Sequence, residues 1–423
     1  MRITLSFGIK IFSAQHFDNS IIEVFVMSTT IMLTSDGFSF HTTELKYFPT
    51  MTEYHSRKKC LYDLARKKHK DFIYPISRDK KKTNFCKKFK NQETHCCKLF
   101  KNQRTNLYFS ATKGPHATIK AVVNPRKLID PDSSYLGIFP PNEESVSEFA
   151  DSFTDIMRKI DLPDFSEGWL ATRVDLCVNL DCGEGDTARE LNRLAHKGQT
   201  PKKYTRIEYT DNSLTPEKLK EKNKHYLRYE CGSAALVIYD KTYQMTEEGL
   251  VTKFEKLSNG IIRVELQLGR KFIRKFMDEN GIQREDPDNE ECEDLEELFN
   301  ELIRQSPDLI LTYLKKAVPC GTHYKLSRLK YLLDELPFHA ETIEQMQYLV
   351  QQAHTCDTLD DAIRKTKKKF KLSDKEVKTH IERFRNSGIS PIPLSGNFPL
   401  DSLPSLTSLL EQLAMEGCTE IDL

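Results

Sequence analysis

Five side chains of this sequence have the types and spacing that chemistry needs. They are one phenol, three carboxylates and one ammonium: Tyr239, Asp175, Asp240, Glu265 and Lys241. A phenol has a pKa of about 10, so it is a poor nucleophile at neutral pH unless a metal or another cation stabilises the phenolate. Carboxylates are the groups that hold Mg²⁺ or Mn²⁺. The residue types alone leave the role of each side chain open.

Three common motifs of catalysis are absent from the sequence. It contains no G-x-x-x-x-G-K-[ST] phosphate loop, no G-x-G-x-x-G after a strand and no His-Glu-x-x-His. These absences argue against ATP hydrolysis and hydride transfer. A structural zinc site is not expected either, because the Cys-x2-Cys spacing is missing around the candidate ligands Cys86, His95, Cys96 and Cys97.

Two alternating segments and a hairpin must position the five residues. In residues 172–180 and 262–268, apolar residues stand at even positions, while Arg173, Asp175, Arg263 and Glu265 stand at odd positions. This period of two indicates strands with one buried face. Residues 226–244 contain two apolar runs separated by Cys-Gly-Ser, which predicts a hairpin whose second strand ends in Tyr-Asp-Lys.

Charge is segregated along the 423-residue chain, although its net charge is only +1. From Arg57 to Arg104, seventeen Lys/Arg stand against four Asp/Glu, whereas Glu285–Glu301 is almost purely acidic. Aromatic residues alternate with the cations of the basic block. Such a mixture suits single-stranded DNA, because cations meet phosphates while rings stack on bases. The alternative is that the aromatics belong to the core and the lysines are solvated.

The patterns predict an α+β protein with a mainly antiparallel sheet, helices on one face and a helical C-terminal region. We expect a basic DNA-contacting region over 1–115, a catalytic domain over 116–277, an exposed charged linker over 278–293 and helices over 294–423. Residues 360–371 and 374–386 could form a helix-turn-helix, although a helical bundle is preferred. No signal peptide or membrane span is evident, so a cytoplasmic location without membrane contact is expected.

The segments TRVDLCVNL, YLRYECGSAALVIYDKTYQ and IIRVELQL together resemble the filamentous-phage gene II/X replication proteins. They also resemble related plasmid initiators with an R-[IV]-D … [IV]-Y-[DE]-K … R-[IV]-E pattern. The likeness spans roughly residues 124–276, and FRNSGISPIPL is similar as well. Each motif is short, and their order and spacing carry the specificity.

This resemblance implies a rolling-circle replication initiator of a phage, plasmid or integrated element, with a fold like the family's nicking domain. Such a protein nicks one DNA strand at a specific site and stays joined to it through a 5′-phosphotyrosine. Tyr239 would be the nucleophile and Lys241 a cation near the scissile phosphate. Asp175, Asp240 and Glu265 would be the metal-binding carboxylates, with Mg²⁺ or Mn²⁺ as cofactor.

The expected partner is DNA at a replication origin, both supercoiled duplex and single strand, with a host helicase and polymerase as further partners. Contacts to DNA are expected from two strand residues, Arg173 and Arg263, and from five lysines of the basic block: Lys80, Lys81, Lys82, Lys87 and Lys88.

Several alternatives remain open at this point. Many rolling-circle initiators hold their metal with a His-hydrophobe-His strand, and that triplet is absent here. Tyr239 and Asp240 would point to opposite faces of a regular strand unless it ends or bulges there. Glu265 could instead form an ion pair with Arg263 or Arg173.

Other tyrosines and other functions also compete with this interpretation. The neighbouring candidates for the nucleophile are Tyr226, Tyr229 and Tyr243. The runner-up function is a non-catalytic DNA-binding replication regulator that keeps the fold, for which only the basic surface matters. A structural or interaction protein is the third candidate, and it leaves the polar sheet face unexplained.

Overall fold

The computed structural model describes residues 32–66, 72–73, 88–89, 92–99, 105–112, 117–183, 186–211, 214–249, 260–283, 292–416 and 420–422. These residues form the predicted α+β architecture, with one large antiparallel sheet and a C-terminal region that is mostly helical. None of the helices within them is long and apolar enough to cross a membrane.

Thirteen of the described strands join the large sheet, in the order β3-β5-β6-β7-β2-β8-β12-β11-β10-β9, with β1, β4 and β15 beside this path. Strands β13 and β14 form a separate pair. The strands are β1 Met32–Thr34, β2 Phe38–Tyr47, β3 Phe72–Ile73, β4 Lys88–Phe89, β5 Gln92–Leu99, β6 Thr105–Thr112, β7 Ala117–Val123, β8 Leu170–Asp181, β9 Thr205–Ile207, β10 Tyr226–Cys231, β11 Ala234–Asp240, β12 Ile261–Gly269, β13 Thr322–Tyr324, β14 Ser402–Pro404 and β15 Glu420–Asp422.

The helices flank the sheet and then make up most of the chain after residue 294. They are α1 Met51–Arg66, α2 Pro125–Ile129, α3 Glu143–Arg158, α4 Thr187–His196, α5 Pro216–Lys224, α6 Lys241–Glu247, α7 Arg270–Asn280, α8 Leu295–Ala317, α9 Leu326–Asp334, α10 Ala340–Thr355, α11 Leu359–Phe370, α12 Asp374–Asn386 and α13 Leu406–Glu416.

The alternation seen in the sequence fixes the two faces of the central strands. Strand β12 pairs with β8 so that Val264 lies opposite Val178 and Glu265 opposite Cys177. The even-numbered, apolar side chains form the core beneath α4, α7 and α8. Phe40 of β2 joins this core by stacking on Phe299 of α8, with 5.1 Å between ring centroids. Burial of these side chains provides the main stabilisation of the sheet, and the odd-numbered polar residues are left on the other face.

Two helix starts show how well local signals predicted the boundaries. Ser373 caps α12 in a reciprocal capping box with Glu376, as the sequence indicates. Helix α3, by contrast, begins earlier than expected. The spacing of Ser145 and Glu148 predicts a capping box with Ser145 as the cap. The cap is instead Asn142, whose side chain accepts a hydrogen bond from the backbone of Ser145.

The C-terminal helices pack on the sheet and on one another. Helix α8 contacts β8, β2 and β12, while α10, α11 and α12 pack together as the preferred bundle interpretation expects. Within the segment expected to be an exposed linker, Glu293 is instead buried, because it accepts from the backbone of Ala171 and pairs with Arg270. The division of the chain into these four segments remains a prediction.

Candidate active site

The strand register brings Tyr239 and Glu265 together on the polar face. Tyr239 lies opposite Arg263, and Glu265 lies two residues further along β12, so both side chains project to the same side. The phenolic hydroxyl of Tyr239 donates a hydrogen bond to Glu265 Oε1. Tyr239 is only 7% exposed and Glu265 is buried. A catalyst that uses Tyr239 as its nucleophile needs this side chain exposed, which is not the case in this conformation.

His41 is a third member of the site that sequence reasoning missed. Its Nε2 atom lies 2.7 Å from the same Oε1 atom of Glu265. Alternation along β2 places His41 on the polar face, since Phe40 faces the core, and the register to β8 shifts directly afterwards, between Phe40 and Thr42. The signal in the sequence was a single histidine inside an apolar alternation, and nothing local connected it to Glu265.

Electrostatics fix the shared proton on the tyrosine. Burial opposes ionisation of Glu265, but His41 and then Arg263 outweigh burial and hold the pKa of this carboxyl well below its usual range. Burial, followed by the charge of Glu265, raises the pKa of Tyr239 well above 10. In this conformation the pair is a neutral phenol that donates to a charged carboxylate.

Arg263 supports the site from within the protein. It is buried, its Nε donates to Asn179 Oδ1 at 2.6 Å and its Nη2 donates to the carbonyl of Leu136 at 2.8 Å. Asn179, on β8, is a second residue that sequence reasoning had not assigned to the site. Because the guanidinium is covered, the structure places Arg263 behind the reacting groups, away from the surface where DNA contact was expected.

Lys241 places a second cation beside the phenol. It is the first residue of α6, is buried, and donates through Nζ to Gln244 Oε1 at 2.9 Å. Nζ lies 5.8 Å from the centroid of the Tyr239 ring. Burial, followed by the nearby charge of Arg263, lowers the pKa of Lys241 to about 8. The ammonium can therefore lose or supply a proton close to neutral pH.

Asp175 is held by an arginine of its own strand. Arg173 donates from Nε and Nη2 to the two carboxylate oxygens of Asp175, at 2.6 and 2.5 Å. Arg173 is partly exposed and also lies 3.4 Å from Glu44. Burial raises the pKa of Asp175 to about 6, an effect that Arg173 only partly offsets. Both oxygens of the Asp175 carboxylate therefore accept hydrogen bonds from Arg173 in this conformation.

Asp240 belongs to a different cluster. It ends β11 and caps α6 by accepting from the backbone of Tyr243 at 2.8 Å. Its other oxygen lies 3.2 Å from His225 Nδ1, and the His225 ring stacks flat on Tyr243. Tyr239 and Asp240 thus serve opposite sides of the strand, as regular alternation requires.

The three expected metal ligands are consequently not brought together. Asp175 is paired with Arg173, Glu265 with Tyr239 and His41, and Asp240 faces away. Within the part of the chain that the structure describes, no three His, Cys, Asp or Glu side chains are arranged to hold a metal ion. The residues present do not fit a preformed Mg²⁺ or Mn²⁺ site, and the cofactor remains a prediction.

Two buried polar atoms on β2 lack partners on the described residues. They are Ser39 Oγ and His41 Nδ1. Leaving such groups unsatisfied costs free energy unless water or a ligand meets them. Both atoms belong to strand β2, and the other ring nitrogen of His41 contacts Glu265. The polar face therefore has two polar atoms near the phenol that are available to hydrogen-bond a ligand or water.

The remaining predicted residues are placed as follows. Tyr229 is buried, whereas Tyr226 and Tyr243 are partly exposed. Lys80, Lys81, Lys82 and Lys87 lie outside the described residues, and of Lys88 only the strand backbone of β4 is described. The same holds for the zinc candidates: Cys86 lies outside, and only the β5 backbone is described for the other three, His95, Cys96 and Cys97.

Comparison with known proteins gives a distant structural likeness. No protein-family model matches the sequence. No curated protein matches it either. Among solved structures, the chain is similar to the rolling circle replication initiator protein from Geobacillus stearothermophilus, at 10% sequence identity and a TM-score of 0.29. That comparison covers 68% of this chain and 86% of the other.

Proposed function

We propose that this protein is a rolling-circle replication initiator that nicks one DNA strand by transferring it to Tyr239. The observation that supports this most directly is the hydrogen bond from Tyr239 to Glu265, with Lys241 beside the ring. A nucleophile, a proton acceptor and a cation on one sheet face are the parts that a transesterification needs. The unsatisfied Ser39 Oγ and His41 Nδ1 are polar groups that could meet an incoming phosphate.

The proposed reaction balances without nucleotide hydrolysis. Tyr239 Oη forms a bond to phosphorus while the bond from phosphorus to O3′ breaks. The phenolic proton passes to Glu265, and the departing O3′ takes a proton from Lys241, whose pKa near 8 suits that role. The products are a 5′-phosphotyrosine and a free 3′-hydroxyl, which can prime synthesis. Reversal of the same steps rejoins the strand.

The closed site requires a rearrangement before this reaction. Tyr239 is almost inaccessible, and the pKa directions of Tyr239 and Glu265 oppose proton transfer. Entry of a DNA strand would have to expose the phenol and bring positive charge to the developing phenolate. No step of the proposal runs through a metal, because the carboxylates are not assembled around one. A requirement for Mg²⁺ or Mn²⁺ is a separate part of the proposal.

The wider role follows from this activity. The protein would act in the cytoplasm on the origin of a phage, plasmid or integrated element, as supercoiled duplex and as the strand exposed there. A host helicase and polymerase would use the nicked product. These partners are proposals that rest on the nicking reaction.

A non-catalytic DNA-binding regulator is the second candidate. It is favoured by the burial of Tyr239 and by the two-point pairing of Asp175 with Arg173. In that case the polar face would stabilise the sheet and the tyrosine would be a structural hydrogen-bond donor.

The test is a nicking assay on supercoiled DNA from the protein's own genetic element, with Mg²⁺, Mn²⁺ or EDTA. Covalent protein–DNA adducts are scored for the wild type, for Tyr239→Phe and for Tyr226→Phe as a matched control. Adducts that disappear only in Tyr239→Phe support the proposal. Adducts that persist in Tyr239→Phe move the chemistry to another tyrosine, and DNA binding without nicking in any condition supports the regulator.

A further inference from the structure

Helices α11 and α12 carry a basic surface that the proposed reaction does not use. Between Ile363 and Lys375 the chain has seven Lys/Arg and one Asp. Arg364, Lys365, Lys368, Lys371 and Lys375 are all exposed, and we name these five residues the α11–α12 basic surface. The side chain of Arg364, for example, is 78% exposed to solvent.

The spacing places these cations on one side of α11. Arg364 and Lys368, at positions i and i+4, lie one above the other on α11, Lys365 is adjacent to them, and Lys371 follows at the C-terminal end of the helix. The opposite stripe is buried against the bundle, with Leu359, Ala362 and Thr366 in its centre. The apolar face of α11 is thus already covered. An amphipathic helix needs such a face to insert into a membrane surface, so the surface does not suit a lipid bilayer.

Few carboxylates neutralise the basic surface. Arg364 pairs with Asp361 at 2.6 Å, one turn earlier on the same helix. No carboxylate of the described residues forms an ion pair with the other four members, which are Lys365, Lys368, Lys371 and Lys375. A row of unpaired cations on adjacent turns creates a positive potential that favours a polyanion.

The backbone conformation at Lys371 is unusual for a lysine. This residue ends α11 in the left-handed region, with φ of 54°, and its N–H donates to the carbonyl of Lys367. Glycine or asparagine occupies such a position at lower cost, because the left-handed conformation brings Cβ close to the following carbonyl. Lysine at this position keeps an exposed ammonium beside the other cations at the C-terminal end of α11.

The aromatic residues beside the surface decide between duplex and single strand. Lys369 lies over the rings of Tyr348 and Phe370, at 4.1 and 4.8 Å from their centroids. Both rings are partly buried and covered by that lysine. Single-strand binding typically uses free aromatic faces on which bases stack. The basic surface has cations but no free aromatic face. Contact with the phosphates of a duplex requires only the cations.

We infer that the α11–α12 basic surface binds the phosphate backbone of duplex DNA, as a second contact apart from the nicking face. The inference rests on the proposed function for its substrate, DNA, but it does not require cleavage. Helix α4, which packs on β11 and β12 of the active site, connects the two regions. Lys197, directly after α4, donates to three carbonyls at the C-terminal end of α10: Ala353, His354 and Cys356.

The test measures DNA affinity in the absence of divalent metal, so that loss of nicking cannot affect it. The full chain is titrated against a duplex of about 20 bp and a single strand of the same length over a range of salt concentrations. The variant combines Lys368→Gln, Lys371→Gly and Lys375→Gln. The matched control combines Lys271→Gln, Arg274→Gln and Lys275→Gln on exposed positions of α7.

We expect the α11–α12 variant to bind duplex at least about tenfold more weakly near 0.1 M salt. The slope of log affinity against log salt concentration should become less steep by about 2.7, which is roughly 0.9 for each of the three lost phosphate contacts. The control variant should match the wild type. The melting temperature of the variant should not fall, because glycine at position 371 adopts the left-handed conformation without steric strain. Since cleavage is not measured, a wild type that binds but never nicks would contradict only the proposed function.

Three outcomes would overturn the inference. Unchanged duplex affinity in the α11–α12 variant would show that the surface is only solvated. Equal losses for duplex and single strand would contradict the choice of duplex. Binding to vesicles of phosphatidylserine and phosphatidylcholine that is lost in the same variant would assign the surface to lipid.

Discussion

Tyr239 and His41 meet at one oxygen atom, Oε1 of Glu265, although they lie on strands β11 and β2. Strands β8 and β12 separate these two strands in the sheet order. The carboxylate therefore joins two parts of the sheet that have no direct pairing with each other. The hydrogen bonds orient the phenol and hold the negative charge in place, so Glu265 is central both to stability and to the proposed chemistry.

Replacement Glu265→Gln should destabilise the protein and stop nicking together. The variant loses the buried negative charge that His41 and Arg263 stabilise, and we expect a loss of about 1–3 kcal/mol in the free energy of unfolding. Urea unfolding at neutral pH measures this change. The control Glu230→Gln removes an exposed carboxylate that pairs with Arg228, and it should cost at most about 0.5 kcal/mol. Equal effects of the two substitutions would contradict the central role of Glu265.

Stability should depend on pH through Asp175. Its pKa is about 6 in the folded protein, against an ordinary value of 3.8 for an aspartate side chain. Between these values the folded state still holds a proton that the unfolded state has lost. This group therefore favours the folded state less as pH rises from about 4 to 6, by roughly 3 kcal/mol in total.

The variant Asp175→Asn removes that titration. The unfolding free energy of the wild type, relative to the variant, should fall between pH 4 and 6 and stay constant above pH 7. Parallel stability curves for the two proteins would show that Asp175 has the same pKa folded and unfolded, as expected if pairing with Arg173 fully offset burial.

The nicking rate should fall as pH rises through about 8, if Lys241 protonates the departing oxygen. Above that pH the folded protein has lost the ammonium proton. Lys241→Arg keeps its charge to a much higher pH, so this decline should disappear, whatever the absolute rate of the variant. Lys224→Arg, at an exposed lysine of α5, is the control and should keep the wild-type profile. A decline that persists in Lys241→Arg would assign it to another group.

Lys197→Met should loosen the C-terminal helices from the sheet. The substitution keeps most of the aliphatic stem but removes three charge-assisted hydrogen bonds to the end of α10. We expect a loss of about 2–3 kcal/mol in unfolding free energy. Amide exchange should become faster in residues 350–356 before it changes in β8. Lys202→Met, at an exposed neighbouring position, should change neither measurement. Unaltered exchange in Lys197→Met would mean that apolar packing alone holds α10.

Strand alternation made the central sheet predictable. In β8 and β12, alternation predicted which side chains face the apolar core, and antiparallel pairing placed Asp175, Arg263 and Glu265 on the other face. That polar face is buried as well, so the expectation of strands with only one buried face is wrong here. The separation of Tyr239 from Asp240 followed from the same rule. The hairpin was also confirmed, with Gly232 at a positive φ of 60° in its turn.

The contacts that complete the site were not predictable in this way. Alternation puts His41 on one face of β2, but it does not reveal that β2 pairs with β8, and the partner of His41 is more than half the chain away. The pairing of Asp175 with Arg173 depends on burial and rotamer, although both residues were visible in the sequence. Tertiary packing also covers Tyr239, and the residue pattern around it gave no sign of this burial.

The long sequence separation between His41 and Glu265 has a consequence for how the molecule acquires its activity. Contacts between distant segments form late, since closing a long loop costs entropy before any interaction repays it. The polar face can exist only after β2 and β12 have both joined β8. Strands β11 and β12 pair directly and can bring Tyr239 to Glu265 early, whereas His41 reaches Glu265 only after β2 has joined the sheet, so a chain that is still folding lacks the complete polar face.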